Sequence, residues 1–163
     1  MLRDKPLGGD TGVFYTVGNH QEFAMTEEIY HIMDYSFERP IKPDQLQVLF
    51  RQTRWAEDRS IEGIQTMLKG TAVVLGEWEE DRLVGFARAI TDGIYRGLID
   101  DVVVEESRRS MGIGSELMQR LLEWLTEMGL AQILLRCRED MVPFYKRHGF
   151  KIAHGVTMNL SQS

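Results

Sequence analysis

Residues 108–118 read RRSMGIGSELM, two arginines and then two glycines around one isoleucine, leading into an amphipathic run. Glycine loses more conformational freedom on ordering than any other residue, so a pair at this point must serve something only glycine allows. The preceding segment, LIDDVVVEE (98–106), is a β-rich apolar run. The following one carries Ile113, Leu117, Leu121, Trp124, Leu125 and Met128 three or four residues apart, and Gly129 stops it. A strand, a glycine loop and a helix N-terminus in succession present unpaired N–H groups and the positive helix end to a phosphate. Two familiar phosphate loops are excluded. A dinucleotide fingerprint needs a third glycine where Leu117 stands, and a P-loop needs a lysine and Ser/Thr after its glycine. What remains is Arg108 or Arg109 as counter-charge beside Gly112-Ile113-Gly114. The plainer alternative is a turn adopted for close helix–strand packing.

The strand before the loop contains Asp100-Asp101. Apolar neighbours on both faces, Leu98, Val102 and Val104 on one and Ile99 and Val103 on the other, mark an interior strand. Aspartate is poorly suited to strands, and burying an unpaired carboxylate is costly. In regular alternation the two acids point to opposite faces, so at least one is expected to look into a cleft; a solvated strand end is the alternative. Phe144-Tyr145, in VPFYKRHGF, is a third anomaly. On a short helix the two rings diverge, so one can anchor the core while the other presents a hydroxyl, unless both are core.

Outward from this centre, TAVVLGEWEE and RLVGFARAIT form a hairpin turning near Asp81, with Glu77, Glu79, Glu80 and Asp81 read as its solvated face and tip. Asp92-Gly93 marks a second turn. Upstream, Pro43 opens a helix (PDQLQVLFRQT) with Leu46, Leu49 and Phe50 facing inward, and Ser60 caps another (SIEGIQTMLKG) that stops at Gly70. IYHIMDYSF (29–37) is read as the first strand, with His31 on its surface. Downstream, AQILLRC is a strand, Asp140 caps the short helix MVPFYKRH, and FKIAHGVTMNL ends the chain in extended structure. Residues 1–28 are expected to be a weakly ordered extension, with a short strand at Val13–Val17, and 29–163 a single domain. Whether Met25 is the natural start is left open.

With 163 residues, 43% hydrophobic and 27% charged, the composition suits one soluble domain. No run approaches a membrane span, and the N-terminus lacks a signal-peptide core. Cys137 has no partner for an intrachain disulfide, so a reducing cytoplasm is expected. The net charge of −6 argues against nucleic acid and is compatible with a cationic substrate. His20 and His154 have no identifiable partner, His148 suits a helix C-terminus, and no spacing suggests a metal site.

Arg109-Ser-Met-Gly112-Ile-Gly114 resembles the R/Q-x-x-G-x-G/A signature of the GNAT superfamily of acetyl-CoA-dependent N-acetyltransferases. The DVVVEES strand before it and the PFYKRHGF segment after it extend the resemblance from about Arg82 to Phe150. It implies an α/β (α+β) three-layer fold, with a mixed, twisted sheet splayed where acetyl-CoA inserts and helices on both faces. It further implies that Arg108, Arg109, Ser110, Met111, Gly112, Ile113, Gly114 and Ser115 hold the pyrophosphate, and that the backbone of Val102, Val103 and Val104 pairs with the pantetheine arm. MVPFYKRHGF is similar to arylalkylamine acetyltransferases, whose tyrosine there protonates the departing thiolate. Their histidine pair, however, is replaced by Leu98 and Asp100. The acidic pair is closer to the glucosamine-phosphate acetyltransferases, and the stretch after Phe150 is shorter than the family's closing hairpin.

The expected reaction is transfer of acetyl from acetyl-CoA to a small primary amine. It needs a base, oxyanion donors and an acid for sulfur. Asp100, or Asp101 through a water, is the candidate base, since a bulge would undo parity. Tyr145 is the candidate acid, with loss of rate expected near its reference pKa of about 10 or below. Trp55, in the stretch from Arg54 to Arg59, and Tyr95 are candidate lining of the acceptor pocket, although Trp55 serves equally well as packing between helices. A homodimer stays open. The rival readings are a nucleotide-dependent oxidoreductase and a non-catalytic acetyl-CoA-binding module.

Overall fold

The computed structural model describes residues 33–155 and 157–160, all within one compact unit, His31–Ser163. The proposed extension 1–28, the Val13–Val17 strand, Met25, His20 and His31 lie outside the described residues. Five strands form one sheet in the order of the chain: β1 (Met33–Ser36), β2 (Val73–Glu79), β3 (Arg82–Thr91), β4 (Arg96–Val104) and β5 (Gln132–Leu135). β1 to β4 are antiparallel neighbours, and β5 lies parallel to β4. A parallel neighbour needs a crossover, and α3 (Ile113–Glu127) supplies it.

Helices cover both faces. On one, α3 buries Ile113, Leu117, Met118, Leu121 and Leu125 against Val73, Leu75, Ala87, Ala89 and Ile99. On the other, α1 (Pro43–Phe50) and α2 (Ile61–Gly70) bring Leu46, Leu49, Phe50 and Ile64 onto Trp78, Leu83, Phe86 and Val103. Proline in the first turn starts α1. The Ser60 hydroxyl accepts from the Gly63 amide at 3.0 Å and caps α2. The three-layer mixed architecture expected from the sequence is the one observed.

Four local expectations are corrected. Trp124 and Met128 lie at the edge of the helical stripe rather than in the core; Met118 takes the inner position, and Trp124 stacks on Phe37 at 4.5 Å. Asp140 does not cap α4 (Val142–Arg147): it lies in a 3-10 turn, Glu139–Met141, and pairs with Arg138. Among the described residues after Phe150 no strand forms. Finally, the acids of the first hairpin are not uniformly solvated. Glu80 and Asp81 are exposed at the turn, but Glu77 and Glu79 are buried.

Candidate active site

The acid pair sits at a break in strand regularity. Arg88 of β3 lies opposite Asp100 and Phe86 opposite Val103, so Asp101 and Val102 bulge against one residue of β3. Asp101 has φ 52°, a left-handed conformation that only a few non-glycine residues tolerate. The extra residue reverses the alternation of β4: Ile99 faces α3, whereas Val103 faces α1 and α2. Consequently the two carboxylates do not diverge as regular parity requires. Both reach one guanidinium, Arg88 Nε to Asp101 Oδ2 at 2.7 Å and Arg88 Nη2 to Asp100 Oδ2 at 2.6 Å.

Their surroundings differ. Asp101 is 5% exposed and also receives both terminal nitrogens of Arg59, at 2.7 and 3.0 Å. Burial pushes its carboxyl up, but hydrogen bonds and charge from Arg59 and Arg88 outweigh burial and hold it below the ordinary range. Such a carboxylate is a structural anion with little capacity to take a proton. The Asp100 side chain is 45% exposed, with only Oδ2 held among the described residues.

Beyond Ile99, β4 loses its partner on one side. Pairing with β5 covers Arg96–Ile99 and stops, whereas pairing with β3 continues to Val104. The β5-facing edge from Asp100 to Val104 therefore opens as a splay. At its end lies the glycine loop. Gly112 has φ 90°, with open space where a Cβ would project, and Ser110 has φ 64°. The Gly112 carbonyl accepts from Ser115 at 2.9 Å and Glu116 at 3.0 Å. The amides of Met111, Gly112, Ile113 and Gly114 find no acceptor among the described residues. A row of free amides at the start of a 15-residue helix fits a diphosphate. An extended arm carrying amides fits the open edge of β4. These are the features acetyl-CoA requires.

The two arginines separate. Arg108 pairs with Glu79 of β2, and the two line a cavity together with Met111, Gly112 and Ile113 of the loop. Arg109 donates to the carbonyls of Val104 at 3.2 Å and Gln52 at 3.0 Å, so the two arginines flank the loop from different sides. The far wall of the splay comes from α4. The Phe144 ring lies within 3.7 Å of where a Cβ on Gly114 would sit, and Tyr145 packs edge-on against Phe144 and Phe150. Burial, and then the nearby Cys137, push the Tyr145 phenol up to about 12, so it stays protonated through the neutral range. Trp55 and Tyr95 are both more than half exposed, one in the linker between α1 and α2 and the other in the β3–β4 turn. Both rings therefore present aromatic surface to solvent.

Sequence reasoning missed Arg88 and misread Glu77 as solvated. Arg88 was detectable as the one cation inside the apolar run LVGFARAIT. Glu77 was not, because its burial depends on β1 pairing alongside β2 and on α3 packing over the face it occupies.

A family model described as the acetyltransferase (GNAT) family matches residues 27–150. The chain belongs to the GNAT acetyltransferase family. GNAT relatives include GCN5-related N-acetyltransferase 1, chloroplastic, of Arabidopsis thaliana, 37% identical over 66% of this chain and 55% of that protein. A second is serotonin N-acetyltransferase 2, chloroplastic, of Oryza sativa subsp. japonica, 36% identical over 56% of this chain and 48% of that protein. The chain thus spans about half the length of these curated relatives. Among solved GNAT structures, an aminoglycoside 6'-N-acetyltransferase complexed with coenzyme A superposes with a TM-score of 0.62 at 28% identity, covering 75% of this chain and 86% of that one.

Proposed function

We propose that this GNAT protein transfers acetyl from acetyl-CoA to a primary amine by direct attack, with a small amine as acceptor. The observation that carries the reading is the open edge of β4 running straight into the free amides of Met111 to Gly114. Bound acetyl-CoA supplies an activated thioester carbonyl. The chain's own groups do the rest: the β4 edge and the glycine loop orient the coenzyme, with Arg109 nearby as its cation. Asp100, half-exposed and at the start of the unpaired edge of β4, takes the ammonium proton, and Tyr145, held neutral by burial, donates one to the departing sulfur. Asp101 maintains the bulge instead of sharing the base role. Trp55 and Tyr95 give the acceptor aromatic surface.

No helix among the described residues is long and apolar enough to cross a membrane, and no cluster of metal-ligating residues occurs among them. The reaction proposed requires neither. The proposed address is the cytoplasm; the plant relatives are named as chloroplastic, so both compartments stand.

Thiol release from acetyl-CoA over a panel containing an aromatic ethylamine, a polyamine, an amino sugar and a peptide amine tests the reading. The expected result is amine-dependent release with at least one small amine. Acetyl-CoA binding with no release from any amine would replace the enzyme by a coenzyme-binding module.

A further inference from the structure

Arg88 is a buried cation in the middle of an apolar strand, and each guanidinium nitrogen has a partner. Nε is on Asp101, Nη2 on Asp100 and Nη1 on Thr71 Oγ1 at 3.3 Å. Asp101 is fixed in turn by Arg59, whose guanidinium lies 4.7 Å above the Phe50 ring. We propose that Arg88 is a positioning residue for acetyl transfer: it clamps the Asp100 carboxylate so that its free oxygen faces a cationic acceptor amine. The inference rests on the acetyltransferase reading and extends it to an acceptor recognised as its ammonium ion.

A half-exposed aspartate on a strand can turn about two bonds. Here Oδ2 is tied to a guanidinium that is also bound to Asp101 and Thr71, which leaves Oδ1 without a partner among the described residues on a half-exposed side chain. The planar fork of arginine is what allows one side chain to hold two carboxylates at a fixed angle; a lysine ammonium has no such geometry. The inner ion pair needs only Arg59, Arg88 and Asp101. Asp100 is the fourth member, and its side chain is 45% exposed where that of Asp101 is buried.

The test is a double-mutant cycle between Arg88→Lys and Asp100→Ala, reading amine kcat/KM and, separately, acetyl-CoA affinity. Arg88→Lys keeps a cation for Asp101 and gives up the fork. It is expected to lower amine kcat/KM by roughly tenfold to a hundredfold, the scale of a misplaced catalytic group, with acetyl-CoA affinity unchanged. In the Asp100→Ala background the same change should cost nothing more, because no carboxylate is left to position. Equal losses in both backgrounds, or wild-type kinetics in Arg88→Lys, would overturn the proposal. Should Arg88→Lys fail to fold, Asp100→Glu leaves the inner pair intact and moves the carboxylate outward by one methylene. Wild-type kinetics in that variant would be equally fatal. Absence of turnover by the wild type with every amine would instead remove the acetyltransferase reading itself, and this inference with it.

Discussion

A carboxylic acid with no exposed surface is held most cheaply in its neutral form, and Glu77 is such a group. It packs against Gly85 and Leu117, where a Cβ on Gly85 would come within 2.7 Å of its Oε2. Opposite it on β1 stands Tyr35, and no hydrogen bond of normal geometry reaches either carboxylate oxygen among the described residues. Burial foremost, with Glu116 adding and Tyr35 and Arg120 opposing, pushes its pKa up to about 7. The folded state therefore binds this proton more tightly than the unfolded chain. The associated stability is complete below about pH 4.5 and is lost as pH rises through 7. Glu77→Gln keeps the shape and removes the charge. It should stabilise the protein at pH 8 by on the order of 3 kcal/mol and change little at pH 4.5. Denaturation at both pH values checks this, and an equal effect at the two would contradict it. The Tyr145 phenol behaves in the same sense. Its pKa near 12 moves the alkaline limb expected near 10 out to about pH 12, so wild-type turnover should hold through pH 10. Tyr145→Phe should cost about a hundredfold in rate with acetyl-CoA binding retained, as for loss of a general acid. Near-normal turnover in that variant would reduce Tyr145 to packing.

Secondary elements were legible wherever a local cause was strong. Ser60 and Pro43 mark helix starts by their own chemistry, and the apolar stripe of α3 is periodic enough to be read directly. The β4 bulge was not legible, since nothing in IDDVVV says where alternation reverses. The positive φ at Asp101 is enforced by Arg59 and Arg88, which come from segments 42 and 13 residues away. For the same reason the two acids were expected on opposite faces, and Glu79 was mistaken for a solvated residue although Arg82 and Arg108 converge on it. The glycine loop, by contrast, was legible, because a positive φ before a helix is a demand that glycine alone meets without strain. Gly112→Asp adds a side chain in a conformation it resists and an anion beside the free amides of α3. Acetyl-CoA should then no longer raise the melting temperature, while the far-ultraviolet dichroism of the fold persists. An undiminished shift would refute the diphosphate assignment.

For the molecule as a whole, coenzyme binding and folding are linked, since only the folded chain brings the end of β4 beside the glycine loop. At a hundredfold excess over the dissociation constant, acetyl-CoA should add ~2.7 kcal/mol to stability, and NAD(P) should add none. Differential scanning fluorimetry with the two ligands distinguishes these outcomes, and equal shifts would reopen the nucleotide-dependent reading. The parting of β4 and β5 after Ile99 also has a cost outside catalysis. It leaves backbone donors and acceptors open in the body of the sheet, next to apolar side chains, and a foreign β-strand can pair there as readily as a coenzyme arm. Coenzyme occupancy then protects against self-association, and concentrated protein stripped of acetyl-CoA should aggregate sooner than the loaded form.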